Sequence, residues 1–300
     1  MDSTTQVSKI TYEFRNRYLE DGQPNWELSR QQPDWPEYVR DELNHPFTRF
    51  LPVSLDENGN ATNNFSQGDS EIQWKKRRRH LGKDWHYFSK KIHYKRNASG
   101  FRTYEWHEIN WKECIVLLGC SCTYGVGVDD SETIAEQLEA LCGRQVVNLG
   151  LGGTSNQFMA FVLTKLYNRF DSPYAVVANY TTVDRNLYFH ESDLFHLGPW
   201  AVNHKDKIPS DSLYPVRQKD LYFNNFYNPT NAMMQTRAYS DTIRALCKDR
   251  SKLLNITFFE DAAHAVRADK FLTIDNEARD RNHPGRDRYK EIAEWINERL

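Results

Sequence analysis

Apolar and polar positions follow a regular pattern only from about residue 111 onward. A short apolar run, Cys114–Leu118, is followed at once by a glycine, which is typical of a strand buried on both faces of a parallel sheet. Three later stretches have the same character. We therefore expect strands at 114–118, 145–148, 174–178 and 253–259.

Between these strands, apolar residues recur at helical spacing. In the segment Asp129–Leu141, Ile134 and Leu138 fall on one side of a helix, and Gly143 suits its C-terminal end. Similar spacing predicts helices around 159–170, 232–249 and 286–300. The alternation of strands and helices predicts an α/β fold: a parallel, flavodoxin-like sheet in a three-layer α/β/α arrangement.

Residues 1–110 lack this regularity and are rich in aromatic, charged and turn-forming residues. They predict loops and short strands, with one helix near 35–43 and a short strand at 91–94. No flexible linker precedes Cys114, and aromatic residues lead directly into the first strand. We therefore expect 1–110 to be an irregular extension that packs on a sheet domain at 111–300, which carries an aromatic insert at 186–230.

Composition narrows the class of protein. The chain has 300 residues, of which 39% are hydrophobic and 27% are charged, with a net charge of −2, as in ordinary globular domains. Its five cysteines show no CxxC spacing, so neither a disulfide framework nor a metal site is indicated. No apolar run is long enough for a membrane span and no secretory signal is evident, so a cytoplasmic or particle-associated location is expected.

A strongly basic stretch interrupts this balance. Between Lys75 and Arg102 there are eleven Lys or Arg residues and one acid, Asp84. Such a run could attract phosphate or an acidic polymer, although most charge runs are solvated faces, and that interpretation is favoured here. No known nucleic-acid module surrounds the stretch, so a nucleic-acid partner is not expected.

Polar and glycine-rich segments follow the first two predicted strands. The segment Gly119–Gly127 places Ser121 on a strand-to-loop turn, where its hydroxyl would be exposed at the edge of the sheet. The segment Asn148–Asn156 contains three glycines ahead of a helix, where unpaired amides could hold an oxyanion. Both segments would equally suit plain turns, and the first would also suit a phosphate-binding loop.

Near the C-terminus, Asp280 precedes His283 by three residues and Pro284 follows. A carboxylate at this spacing can accept a hydrogen bond from the imidazole, fixing its tautomer and supporting the imidazolium that forms when the other nitrogen takes a proton. Most such pairs are surface turns. This one follows the last predicted strand, at the same edge of the sheet as Ser121.

Taken together, these segments resemble the SGNH (GDSL-type) hydrolase superfamily over residues 94–300. The segment 119–128 is similar to its first block, 147–153 to its second, and 280–284 to its last. The resemblance implies that Ser121 is the nucleophile, His283 the base and Asp280 the acid that orients it. It also implies that the amides of Ser121 and Gly153 form the oxyanion hole.

The chain departs from the superfamily pattern at two places. Cys120 stands where the family has an aspartate that is not the triad acid. The third block should contain an asparagine that donates to the oxyanion, but here the alignment places Val183 or a threonine at that position. Thr182, Asn179 or Asn156 could supply a donor instead, and Thr182 is the residue we assign to the oxyanion hole.

The resemblance implies a serine esterase, most plausibly an O-deacetylase that acts on a small-molecule or polysaccharide ester and needs no metal or organic cofactor. No membrane partner is expected, and the oligomeric state is left open. The alternative function is that of a non-catalytic protein with the same fold, structural or polysaccharide-binding and in some cases particle-associated. The atypical third block and the basic, aromatic N-terminal part favour that alternative.

Overall fold

The computed structural model describes residues 19–20, 23–24, 61–63, 65, 68–97, 99–190, 193–199 and 222–300. The chain divides into two compact units, residues 1–45 and residues 46–300. In the first unit, the described residues form a short antiparallel pair, β1 (Leu19–Glu20) and β2 (Gln23–Pro24). The helix predicted near 35–43 lies outside the described residues.

The second unit alternates strands and helices along most of its length. Its elements are β3 (Ala61–Asn63), α1 (Glu71–Leu81), β4 (Tyr94–Arg96), β5 (Ile115–Gly119), α2 (Ser121–Tyr124), α3 (Ile134–Cys142), β6 (Val146–Gly150), α4 (Asn156–Arg169), β7 (Ala175–Tyr180), β8 (Asn186–His190), β9 (Asp193–Leu197), α5 (Pro229–Cys247), β10 (Lys252–Thr257), α6 (Glu260–Val266), β11 (Lys270–Phe271) and α7 (Arg286–Asn297).

A parallel sheet of five strands lies at the centre of this unit, in the order β11-β10-β7-β5-β6. The order is flavodoxin-like, and the fold is α/β, as the sequence predicts. The four predicted strands lie within two residues of the observed ones. Two antiparallel pairs, β3 with β4 and β8 with β9, stand outside the central sheet.

The sheet separates two hydrophobic cores because successive side chains of a strand point to opposite faces. In β5, Val116 and Leu118 pack into the core that includes α4 and α5. Ile115 and Leu117 pack into the other core, with apolar residues of α3 and α7. All five residues of β5 are buried, which explains why its sequence is continuously apolar.

The helix predicted at 129–141 is divided in two by its capping residues. Asp129 and Glu132 form a reciprocal capping box around a 3₁₀ turn, Asp130–Glu132. Thr133 then caps α3, and its hydroxyl accepts a hydrogen bond from the amide of Glu136. Gly143 ends α3 in the left-handed conformation, as its position predicts.

Residues ahead of the first central strand contribute to both cores. Tyr87, Ile92 and Tyr94 lie in the core on the α7 side, and Phe101 and Trp111 lie in the core on the α4 side. The strand predicted at 91–94 is observed slightly later, as β4. Helix α1 was not predicted. None of the helices in the described part of the chain has the length and apolar character that a membrane span requires.

Candidate active site

The candidate nucleophile lies at the carboxyl end of the central strand. β5 ends at Gly119, and Ser121 begins the short helix α2. The neighbours of β5 are β6 on one side and β7 on the other, so the chain changes direction across the sheet at this point. In open parallel sheets, such a reversal leaves a crevice beyond the strand ends where ligands bind.

The structure brings Ser121, His283 and Asp280 into one hydrogen-bonded chain. The Nε2 atom of His283 lies 2.8 Å from Ser121 Oγ, and its Nδ1 atom lies 2.5 Å from Asp280 Oδ2. Because an ionised carboxylate only accepts, Nδ1 carries the hydrogen and Nε2 is left as the acceptor for the serine hydroxyl. Cys120 Sγ is a second neighbour of Ser121 Oγ, but at 4.0 Å it competes poorly with the imidazole.

A closed loop holds the acid and the base together. The Ala278 amide donates to the His283 carbonyl over 3.2 Å, and the Arg281 amide donates back to Ala278 over 2.9 Å. The amide of Asn282 donates to the other oxygen of Asp280, Oδ1. The Asp280 side chain is 1% exposed and that of His283 is 16% exposed, so the carboxylate is shielded while the imidazole reaches the surface.

Gly127 allows the loop of the nucleophile to touch the loop of the acid. Its carbonyl accepts from the Arg279 amide over 2.8 Å. A Cβ atom at this position would lie 2.9 Å from Ala278 Cβ and 3.0 Å from Asp280 Oδ1, and the backbone φ of +82° is one that side-chain-bearing residues rarely adopt. Glycine is therefore required here for the two loops to approach.

A buried ion pair joins the same two loops to the residues ahead of α1. Asp69 accepts from Arg279 Nη2 at 2.7 Å and from its Nε at 3.0 Å, and both side chains are essentially inaccessible. Tyr94 donates its hydroxyl hydrogen to Asp69 over 2.5 Å and accepts from the Gly127 amide over 2.9 Å. Burial, followed by the Asp69 charge, raises the pKa of the Tyr94 phenol, so it remains a donor.

Sequence reasoning did not find this pair. Arg279 adjoins the predicted acid Asp280, which was a usable signal, but 210 positions separate it from Asp69. Nothing local in the sequence connects them.

The predicted oxyanion amides are both without an internal acceptor. Gly153 occupies the third position of a turn closed by the Thr154 amide and the Leu151 carbonyl at 3.3 Å, and its φ is +77°. A type II turn needs positive φ at this position, which accounts for the glycine. Among the described residues, no backbone or side-chain acceptor takes the amide hydrogen of Ser121 or of Gly153.

In the segment after β7 and its neighbours, by contrast, the predicted side-chain donors bond to other protein groups. Thr182, the predicted third donor, gives its hydroxyl hydrogen to Asp184. Asn156 Nδ2 donates to the Thr181 carbonyl at 2.9 Å, and Asn179 Nδ2 donates to the Thr123 hydroxyl at 3.0 Å. Thr182 and Asn156 are therefore engaged within the protein, whereas Asn179 has one of its two amide hydrogens in use.

Val183, which with the neighbouring threonines is a candidate for the position of the third-block asparagine, also makes contacts elsewhere in the protein. It is 6% exposed and packs in the hydrophobic core, and its amide donates to Asp261 Oδ2 at 3.0 Å.

Two buried thiols flank the candidate nucleophile. Cys120 and Cys122 share a hydrogen bond, which holds the pKa of Cys120 below its ordinary value and raises that of Cys122. The positive charge of Arg185 favours the thiolate form of both. Arg185 therefore lies close enough to the nucleophile turn to act on its charges. Within the described ranges, no cluster of three or more His, Cys, Asp or Glu residues could hold a metal ion.

Comparison with known proteins gives matches at the level of structure only. No family model matches the chain, and no curated protein matches it significantly. The solved structures that are similar to it include the SGNH-hydrolase family esterase AlinE4, at 17% identity and a TM-score of 0.27, over 48% of this chain and 58% of the other.

Two further solved structures are similar over 63% of this chain. One is the acetyl xylan esterase Est2A from Butyrivibrio proteoclasticus, at 10% identity and a TM-score of 0.39 over 64% of its length. The other is a structure described as a lipolytic protein of the G-D-S-L family from Desulfitobacterium hafniense, at 15% identity and a TM-score of 0.30 over its whole length.

The chain thus spans about three fifths of the first two structures. All three are described as esterases or lipolytic proteins of the kind that the sequence resembles. Structural similarity at these identities and TM-scores does not indicate the activity or the substrate of this chain.

Proposed function

We propose that the protein is a serine esterase in which Ser121, His283 and Asp280 carry out acyl transfer. The observation that carries this proposal is the continuous hydrogen-bonded chain from Ser121 Oγ through the imidazole to the buried Asp280 carboxylate, at 2.8 Å and 2.5 Å. A serine paired with an oriented neutral imidazole is an activated nucleophile. Ser121 is half-buried at the carboxyl end of β5, where open parallel sheets bind their ligands, so an ester can reach it.

The proposed reaction has two steps. Ser121 Oγ attacks the acyl carbon while His283 Nε2 takes its proton, and the imidazolium then returns that proton to the departing alcohol oxygen. Water, deprotonated by the same imidazole, next releases the acid from the acyl-serine. Asp280 keeps the imidazole in the correct tautomer and offsets its positive charge. The amides of Ser121 and Gly153 stabilise the oxyanion in both steps.

The substrate class we propose is an O-acetyl or similar short acyl ester of a carbohydrate. Because the His283 ring is partly exposed while Asp280 is fully covered, a large polar alcohol portion can remain in solvent as the acyl group reaches Ser121. The sequence of the insert at 186–230 is rich in aromatic residues, a residue type that packs well against sugar rings.

The test is a screen of 4-nitrophenyl acetate and acetylated glycans, followed by acetate release, with wild type beside Ser121→Ala. Ser131→Ala is the matched control, since Ser131 is an exposed serine outside this chain of hydrogen bonds. We expect release with wild type and with Ser131→Ala, and none above background with Ser121→Ala. Equal release by all three proteins would overturn the proposal.

A second candidate function is supported by the segment after β7. Thr182 and Asn156 donate within the protein, and Asn179 gives one of its two amide hydrogens to Thr123, so the proposed oxyanion hole rests on two backbone amides. A protein that retained this fold for glycan binding alone would tolerate that arrangement. It would bind acetylated glycans with unchanged affinity after Ser121→Ala and release no acetate.

A further inference from the structure

Helix α1 is fixed to the rest of its unit, but none of its residues is buried as a whole. Trp74 Nε1 donates to the Tyr87 carbonyl over 2.8 Å, and Ser70 caps the first turn. Ile72 and Leu81 are 69% and 42% exposed. A helix in a folded domain ordinarily buries an apolar stripe, so a fixed helix without one needs another explanation.

The outward side of α1 and the turn after it carry uncompensated positive charge. Five consecutive residues, 75–79, are Lys or Arg. Lys75 pairs with Glu71 at 2.7 Å, and Arg78 lies over the rings of Trp74 and Phe88. In the part of the chain that the structure describes, three others have no carboxylate within ion-pair distance: Lys76, Arg79 and Lys83.

A buried donor on the same helix has no acceptor. Arg77 Nη1 is inaccessible to solvent, and none of the described residues accepts a hydrogen bond from it. This nitrogen does not reach a polymer bound outside, but the Arg77 guanidinium adds a positive charge beneath the exposed ones.

The segment that leads into the helix packs against the two loops of the candidate active site. Asp69, two residues before Glu71, contacts Arg279, which precedes Asp280 in the chain. Gly68 lies against Val126 of the loop that follows Ser121, with only 3.8 Å between a Cβ placed there and Val126 Cγ1. A polymer bound along α1 would therefore lie next to the candidate site.

We propose that α1 is the docking surface for an acidic polysaccharide and that this polymer carries the ester that Ser121 attacks. The proposal rests on the proposed esterase function and narrows its substrate class. The free cations are complementary to a polyanion and the serine acts on an acyl ester, and an acetylated polyuronate combines the two features. A single-stranded nucleic acid fits less well, because the aromatic rings beside the helix are covered by Arg78 instead of being open for base stacking.

The test compares charge reversal on this helix with the same change of charge elsewhere. The variant Lys76→Glu/Arg79→Glu alters the proposed surface. The control, Lys112→Glu/Lys248→Glu, alters two exposed lysines that precede β5 and β10, at the opposite end of the strands. Binding of polygalacturonate is measured in the Ser121→Ala background of the full chain, at low and high salt. Turnover is then measured for acetylated polygalacturonate, acetylated xylan and 4-nitrophenyl acetate.

We expect the helix variant to bind polygalacturonate about tenfold more weakly, with the control unchanged, and high salt to weaken wild-type binding in the same way. The ratio of kcat/KM on acetylated polygalacturonate to kcat/KM on 4-nitrophenyl acetate should fall by a similar factor in the helix variant, whereas the corresponding ratio for neutral acetylated xylan should not.

Three results would overturn the inference: no polygalacturonate binding by wild type, equal weakening by the control variant, or tighter binding of single-stranded RNA than of polygalacturonate. The proposed function fails separately. If no ester is hydrolysed but polygalacturonate binding is lost only in the helix variant, the docking surface stands without the esterase.

Discussion

The two sides of the nucleophile turn are built in opposite ways. On the side of the 278–283 loop, each donor meets the acceptor that acid–base chemistry requires, and Asp280, His283 and Ser121 form one chain. On the side of β7, the side chains that could support an oxyanion donate to other protein groups. The comparison teaches that proton transfer and charge stabilisation can be separated within one site.

The rate that is lost without an oxyanion donor must be compared with the rate that is lost without the base or the nucleophile. Loss of one oxyanion donor typically costs about 10²–10³ in rate, whereas loss of the base or nucleophile costs more. A site with the proton-transfer chain intact and two backbone amides would therefore act as a slower esterase rather than an inert one.

His283→Ala tests the proton-transfer side. Without the imidazole, the Ser121 hydroxyl has no base at 2.8 Å, so we expect kcat to fall by about 10⁴. The measurement is initial-rate hydrolysis of 4-nitrophenyl acetate. His264→Ala serves as the control because His264 is 71% exposed on α6, away from this chain of hydrogen bonds. A His283→Ala variant that retains a tenth of the activity would exclude His283 as the base.

Asp69→Ala tests the ion pair that ties the 278–283 loop to the segment before α1. It leaves the Arg279 guanidinium buried without its carboxylate, so we expect the free energy of unfolding to fall by about 3–5 kcal/mol. Urea unfolding measures this. Asp287→Ala removes an aspartate that is 84% exposed and should cost less than about 1 kcal/mol. An equal fall in the free energy of unfolding for the two variants would show that the buried ion pair stabilises the protein no more than an exposed aspartate does.

Gly153→Val tests the oxyanion amides. Valine does not tolerate a φ of +77°, so the turn must shift and carry the amide with it, and we expect kcat to fall by about 10². Gly152→Val is the matched control. A Cβ at Gly152 has nothing within 4 Å and its φ is not positive, so its activity should stay close to wild type. The opposite ranking of the two variants would remove Gly153 from the oxyanion hole.

Thr182→Val tests the side of β7. Because the Thr182 hydroxyl donates to Asp184, its loss should change kcat by less than about threefold. The relevant measurement is kcat on a saturating ester, with Thr164→Val as the control, since Thr164 donates to the Ala160 carbonyl within α4. A fall of about 10² specific to Thr182→Val would mean that Thr182 turns toward the oxyanion during reaction, and would restore it as the third donor.

The central sheet and the main members of the site could be foreseen because their signals are local. β5 is apolar throughout since both of its faces are buried, and Ser121 and His283 follow strands whose carboxyl ends meet at one edge of the sheet. Features that depend on distant contacts could not be foreseen. The Asp69–Arg279 pair spans 210 positions, and the engagement of Thr182 by Asp184 depends on side-chain orientation.

Helix α1 escaped prediction for a different reason. None of its residues is buried as a whole, so its sequence has no apolar stripe to indicate a helical period. The five consecutive cations at 75–79 indicate a solvated face. The local helix signals, such as Ser70 before the first turn, Glu71 within it and Gly82 after the last, are weak without periodicity.

The most direct test of the account is covalent labelling of the nucleophile. Wild type, His283→Ala and Ser121→Ala would be treated with a serine-reactive fluorophosphonate and mapped by peptide mass spectrometry. We predict one adduct, on Ser121, which forms at least about 10²-fold more slowly in His283→Ala and is absent in Ser121→Ala. An adduct on a different residue, or labelling of Ser121 at the same rate without His283, would contradict the claim that the imidazole activates this serine.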